Sequence, residues 1–309
     1  MDYKQKLIIK TAKLYYLEGL NLNDISKKLQ ISPATISRYL KKALESNIVE
    51  IKINDIKDEN YELEKLLELK YSIRECYIVT YFKNEIKMYK EAAGYLINIF
   101  ERLLKDDDYL GVSWGRTDKG IIDCMDRVKI KNNIKLVPII GSMGDVELGI
   151  NTNSISRKLA DKIDGTSYVI NSPAFLDTKK IHDAIIKNGN VQRIIELWKK
   201  INTAVMGVGN LSTNSTIYKL KIQSKEELDY LKSLGVIGEI NLNYINIKGN
   251  LVPNEINERL IRMPLEMLKK VKNLILINLT ESKSNVLKTV LSQGMVDVLL
   301  IDEKTARCL

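Results

Sequence analysis

Three observations predict a two-part α/β protein. The chain has 309 residues, more than one typical compact domain holds and about right for two. Its first fifty or so residues repeat apolar positions at helical spacing only. From residue 73 onward, short β-rich runs alternate with helical stretches, which is the signature of a mostly parallel sheet covered by helices. Hydrophobic residues make up 45 % and charged residues 28 %, a balance that excludes wholesale disorder.

The first helix is predicted within 4–18, where Leu7, Ile8, Ala12, Leu14, Tyr15 and Leu17 keep the spacing and Gly19 provides a stop. A second follows over 22–29, with Asn23 as the expected cap and Ile25 and Leu29 one turn apart. Gln30-Ile31 turns the chain. Ser32 then caps a third helix, and Pro33 sits at its first position, where a missing N–H costs nothing. Ile36, Leu40, Ala43 and Leu44 form the expected buried stripe, which leaves Ala34, Thr35, Ser37, Arg38 and Lys41 facing out. This is a helix-turn-helix pattern whose third helix suits the major groove of double-stranded DNA.

Charge agrees with that pattern. The net charge is +9, and residues 1–53 hold ten Lys or Arg against five acids, so a sixth of the chain carries over half the surplus, as a polyanion-binding head would. Arg38 can fork onto guanine, Thr35 and Ser37 can reach bases or phosphates, and Ala34 can touch a thymine methyl. Lys27, Lys28, Lys41 and Lys42 would pair with phosphates. The expected DNA-contacting set is therefore Ser32, Ala34, Thr35, Ser37, Arg38, Lys41 and Lys42. A three-helix bundle used for protein contacts is the alternative. Residues 48–53 alternate like a short strand, so the head is expected to be winged-helix-like.

The predicted division is a helix-turn-helix domain over 1–53, a linker helix within 54–70 and a larger domain over 71–309. The leucine stripe of 61–70 could pair two protomers or dock on the larger domain. That domain is predicted to be Rossmann-like, with strands at 76–81, 109–113, 134–140, 167–171, 203–207, 237–247, 273–277 and 296–301. Helices are expected between them, at 85–104, 115–125, 154–163, 177–187, 191–199, 225–233, 264–270 and 282–292. Ligands of such sheets sit beyond the carboxyl ends of the strands. Five strand ends there carry glycines or donors: Ser113 to Thr117, Gly141 to Gly144, Gly207 to Asn210, Gly235 to Glu239, and Ser282-Lys283. Each alone reads more readily as an ordinary turn than as a ligand site. Together they suggest a polar, anionic small ligand, with Gly115, Arg116 and Thr117 at a helix start suited to an anion. Trp114 either packs behind that ligand or touches it.

Other classes are disfavoured. No run of about 18 apolar residues exists, so neither a membrane span nor membrane partner is expected, and the N-terminus does not resemble a secretory signal. Cys76, Cys124 and Cys308 are dispersed and odd in number, which argues against a disulfide framework and fits a cytoplasmic protein. His182 is the only histidine, so no metal site is expected, nor any cofactor. Cys124 is expected to be buried, and Trp198 is expected to pack rather than stack on a ligand.

These residues together resemble the SorC/DeoR-type sugar-responsive transcriptional regulators of bacteria. The likeness covers nearly the whole chain. It rests on the helix-turn-helix of 24–40, on Gly111-Val112-Ser113-Trp114-Gly115-Arg116-Thr117, on Leu136-Val137-Pro138-Ile139-Ile140-Gly141, on Asn153 with Leu159-Ala160, and on Ser172-Pro173-Ala174. Gly235-Val236-Ile237-Gly238-Glu239, Lys248-Gly249 and the closing stretch 298–306 complete it. The resemblance implies an effector domain related in fold to sugar-phosphate isomerases and deaminases, a sugar or sugar-phosphate effector, and a homotetramer built as a dimer of dimers. By position, Ser113, Gly115, Arg116, Thr117 and Lys283 would hold a phosphate, Gly141 and Ser142 would line the pocket floor, and Asn151, Asn153 and Glu239 would meet sugar hydroxyls. This chain departs from the family pattern at Leu279-Thr280, Glu239 and Asn246. Ile140 before Gly141 leaves no lysine there to form an imine, so the ligand is expected to bind non-covalently.

The expected function is thus a DNA-binding regulator of a carbohydrate-utilisation operon, switched by a small ligand. The competing expectation is an isomerase or deaminase with a DNA-binding head. Such chemistry needs a general base and often a ring-opening histidine, and His182 falls in a helical stretch away from the strand-end loops. A pure interaction scaffold would have no use for the groove-reading helix or the glycine loops.

Overall fold

The computed structural model describes residues 2–51, 60–142 and 149–309. By backbone contacts the chain divides into two units, Met1–Asp58 and Glu59–Leu309.

The first unit is built from α1 (Tyr3–Tyr16), α2 (Leu22–Leu29) and α3 (Pro33–Glu45). Leu14, Ile25, Ile36 and Leu40 form one buried cluster, and Ile8, Ala12 and Ala43 form another. Asn21, rather than Asn23, caps α2 by accepting from the N–H groups of Asn23 and Asp24 at 3.0 Å. Gln30 ends α2 in the left-handed region, and Ser32 caps α3 through the Thr35 N–H. Leu44 is exposed instead of buried, because the stripe turns away from the small core beyond Ala43. The expected wing does not form over 48–51. There Asn47 takes a positive φ, and the N–H groups of Ile48 and Val49 fold back onto Ala43 O at 2.9 and 3.1 Å. Those donors close the end of α3 and are lost to any ladder. Lys52 and Ile53 lie outside the described residues.

The second unit opens with α4 (Tyr61–Tyr71). Of the two roles open to this helix, docking on its own domain is realised: Leu67 is fully buried in the main core. Lys70 Nζ and Tyr71 Oη both donate to Leu309 O, at 2.5 and 2.9 Å. Then come β1 (Glu75–Val79), α5 (Glu85–Leu103), β2 (Tyr109–Val112), α6 (Arg116–Cys124), β3 (Lys135–Pro138), α7 (Thr152–Ile163) and β4 (Thr166–Ser167). They are followed by α8 (Lys179–Ile185), α9 (Gly189–Trp198), β5 (Thr203–Met206), β6 (Val208–Asn210), α10 (Thr216–Lys219), α11 (Lys225–Ser233), β7 (Val236–Ile240) and β8 (Asn243–Asn246). The chain finishes with α12 (Leu265–Leu268), β9 (Asn273–Asn278), α13 (Ser284–Leu291), β10 (Val298–Asp302) and α14 (Glu303–Arg307).

Seven strands make one parallel sheet in the order β1-β10-β9-β5-β2-β3-β4. Every residue of β5, β9 and β10 is buried, as strands covered on both faces require. One core unites the sheet with α5, α6 and α7, including Ala92, Phe100, Ile121 and Leu159. The other unites it with α4, α9, α12 and α13, including Leu67, Trp198, Leu268 and Val290. Glu68, Glu64 and Glu91 accept the N–H groups of Cys76, Ile78 and Thr80, at 2.8, 2.7 and 3.0 Å.

The stretch 237–247, expected as one strand, is a hairpin. β7 and β8 pair antiparallel with Ile240 opposite Asn243, so Asn241 and Leu242 form a two-residue loop, both at positive φ. Gly207 to Asn210, expected as a loop, contributes β6, which pairs with β7 and completes a three-stranded sheet.

Candidate effector site

β9, β5 and β2 are neighbours at the centre of the parallel sheet. Their carboxyl ends open into a cavity of about 380 Å³, large enough for a small ligand. β2 delivers Ser113, Trp114 and Gly115. β5 delivers Gly207, and β9 leads to Thr280 and to Lys283 in the short turn before α13. The hairpin supplies Glu239 and Asn241, and the segment entering α10 supplies Ser215, Thr216 and Lys219.

Six expected ligand residues meet here: Ser113, Gly115, Arg116, Thr117, Glu239 and Lys283. Ser113 is buried, and its hydroxyl donates to Asn241 Oδ1 at 2.9 Å. Asn241 Nδ2 in turn donates to Ile139 O at 3.1 Å, so the positive-φ turn is anchored to the sheet. Gly115 is the N-cap of α6. Arg116 is exposed, and its Nε donates to Thr216 Oγ1 at 3.1 Å, which holds the guanidinium at the rim. Glu239 Oε2 accepts the Leu242 N–H at 2.5 Å, while burial raises its pKa. Lys283 is lowered, chiefly by burial, against the opposing pull of Glu239 and Asp118. Among the described residues Lys283 Nζ makes no hydrogen bond or ion pair.

Gly141, Ser142, Asn151 and Asn153 do not line the cavity among the described residues. A Cβ on Gly141 would come within 2.6 Å of the Pro173 and Ala174 backbone, so this glycine allows two chain segments to touch. Ser142 Oγ accepts from Asn151 Nδ2 at 2.8 Å, and Asn151 caps α7. Asn153 exchanges two 3.0 Å hydrogen bonds with the backbone of Ile170. Met143 and Gly144, part of the same expected loop, lie outside the described residues.

Trp114 lines the cavity and also packs against two apolar clusters. Trp198 is buried, with Nε1 donating to Pro138 O at 2.8 Å. Cys124 is half-buried at the end of α6. His182 pairs with Asp183 in α8, off the cavity. Among the described residues no cluster of three or more His, Cys, Asp or Glu could hold a metal, and no helix is long and apolar enough to cross a membrane.

Sequence reasoning missed Asp118. It is 7 % exposed and lines the cavity, and its Oδ1 has no partner. Burial pushes its pKa up to about 6, although Lys283 and a hydrogen bond from its own N–H pull it back.

Comparison with known proteins agrees with this architecture. The family model described as "Putative sugar-binding domain" matches residues 57–309. The chain belongs to this sugar-binding-domain family, the SorC/DeoR type of regulator. It is 26 % identical to the sorbitol operon regulator of Klebsiella pneumoniae, over 98 % of this chain and 97 % of that protein. It is 28 % identical to the deoxyribonucleoside regulator of Bacillus subtilis (strain 168), over 99 % and 97 %. The crystal structure of the full-length Klebsiella regulator SorC superposes with a TM-score of 0.75 at 27 % identity, covering 99 % of both chains.

Proposed function

We propose that this protein is a DNA-binding transcription regulator of a carbohydrate-utilisation operon, with operator affinity set by a sugar or sugar phosphate held at the ends of β2, β5 and β9. The carrying observation is the end-to-end match to named regulators in a chain whose cavity joins a helix start, a rim guanidinium and the buried Lys283 amine.

In this reading α2 and α3 are a helix-turn-helix and α3 enters the major groove. Ser32, Ala34, Ser37, Arg38, Lys41 and Lys42 are exposed along it, and Thr35 is half-buried beside Ser32. Ser113, Gly115, Arg116, Thr117, Glu239 and Lys283 contact the effector, while Gly141, Ser142, Asn151 and Asn153 hold the shape of the neighbouring strand end. A two-fold operator calls for paired reading helices and hence at least a dimer, and the family resemblance extends this to a homotetramer, a dimer of dimers. The ligand acts by binding one quaternary arrangement better than another.

The test uses the full chain. Fluorescence anisotropy against promoter fragments and random competitor reads DNA selection, and thermal shift against sugars and sugar phosphates reads the ligand. Arg38→Ala should lose selection and keep the ligand shift. Arg116→Ala and Lys283→Ala should do the reverse. Failure to prefer any fragment, with or without carbohydrate, rejects the proposal, as does joint loss of both properties in all three variants.

A further inference from the structure

Asp118 occupies the third position of α6, where backbone N–H groups would otherwise meet an incoming anion. Its carboxyl lies between two cavity glycines. A Cβ on Gly115 would run into Oδ2, and a Cβ on Gly207 would stand 3.9 Å from it. On its other side the residue is backed by the apolar Val112, Ile122, Val205 and Ile277, and the one hydroxyl there, on Ser113, is already donated to Asn241 Oδ1. The residue's own N–H steadies the carboxyl, yet Oδ1 has no partner. An orphaned buried carboxylate oxygen is costly, and the cavity is the one direction from which a donor can arrive.

We propose that Asp118 is a specificity-determining residue of the effector site: it accepts a hydrogen bond from an effector hydroxyl and keeps anionic groups off the start of α6. This rests on the reading of the cavity as the effector site. A phosphate, where the effector carries one, is then sent outward to Arg116, which is exposed and held at the rim by Thr216. The deep corner reads neutral hydroxyls. The charged and titratable groups around Asp118 are Lys283 after β9, Glu239 on β7, Arg116 on its own helix, and Glu85 and Tyr89 on α5. Burial pushes Glu239 up, as it does Asp118, and pushes Lys283 down, so pH dependence remaining without Asp118 belongs to this pair.

Sulfate is a suitable probe because it stays a dianion across that range. Calorimetric titration of the full chain, at constant ionic strength set with sodium chloride, compares wild type with D118N. At pH 8 the variant should bind sulfate at least tenfold more tightly, and the double variant D118N/R116A should lose the gain. Wild-type affinity should rise about tenfold from pH 8 to pH 5, a measurement that needs no variant. Unphosphorylated sugars or polyols that raise the wild-type melting temperature should lose that effect in D118N. Equal sulfate affinity in the two chains at pH 8, including no binding to either, overturns the proposal. So does a gain that survives removal of Arg116, since it places the anion elsewhere. None of these readouts involves DNA, so a failed promoter experiment and a failed role for Asp118 remain distinguishable.

Discussion

Replacing Asp118 by asparagine should make the protein more stable, and more so at high pH. The native carboxyl titrates at about 6 against an ordinary value of 3.8. The folded state therefore holds this proton more tightly than the unfolded state does. Between those values the native chain binds more protons, so the contribution of Asp118 to stability falls as pH rises. Complete ionisation costs about 3 kcal/mol, at roughly 1.4 kcal/mol per pKa unit. D118N keeps the shape and removes the charge, so it should gain about 3 kcal/mol at pH 8 and about 1.5 kcal/mol at pH 5. Urea unfolding of both chains at the two pH values reads the gain directly. In a melt, 3 kcal/mol corresponds to a rise on the order of 6–10 °C for a domain of this size. A gain of equal size at both pH values, or none at pH 8, would refute the account of a buried, poorly compensated carboxylate.

Two further outcomes are expected. Gly141→Ala forces a methyl against the Pro173 and Ala174 backbone and should lower stability by about 1–3 kcal/mol, measured by urea unfolding; unchanged stability would mean that this contact is loose. Lys41→Gln and Lys42→Gln should each reduce the slope of log affinity for DNA against log salt by about 0.9, read by anisotropy over a salt series, while sequence preference is kept. A lost preference with an unchanged slope would assign these lysines to bases instead of phosphates.

Much of this architecture is legible in the sequence, for local reasons. Ser32-Pro33 announces α3 because cap and first-position chemistry are short-range. The β2–Gly115–α6 corner is legible because a strand, a glycine and a helix start follow one another directly. The hairpin of β7 and β8 is hidden because its turn is Asn241-Leu242. Leucine rarely takes a positive φ, and here Glu239 accepts its N–H and Arg262 donates to its carbonyl at 2.9 Å. Those partners are supplied by tertiary structure. Asp118 is hidden for the opposite reason. An acid in the first turn of a helix reads as ordinary dipole matching, and only the fold shows that this one faces inward. Asn153 misleads in the same way, because nothing local tells that its amide is already satisfied by Ile170.

The three glutamates along β1 have a consequence for how copies of this chain can meet. β1 is one margin of the parallel sheet, and its amides at Cys76 and Ile78, with that of Thr80 just past its end, are all occupied by carboxylates. The other margin, β4, is only two residues long. Neither offers a row of free donors for an added strand, so runaway edge-to-edge stacking is blocked at both ends. Any meeting of two copies must then use surfaces other than these two margins, where contacts can form and part without extending a ladder.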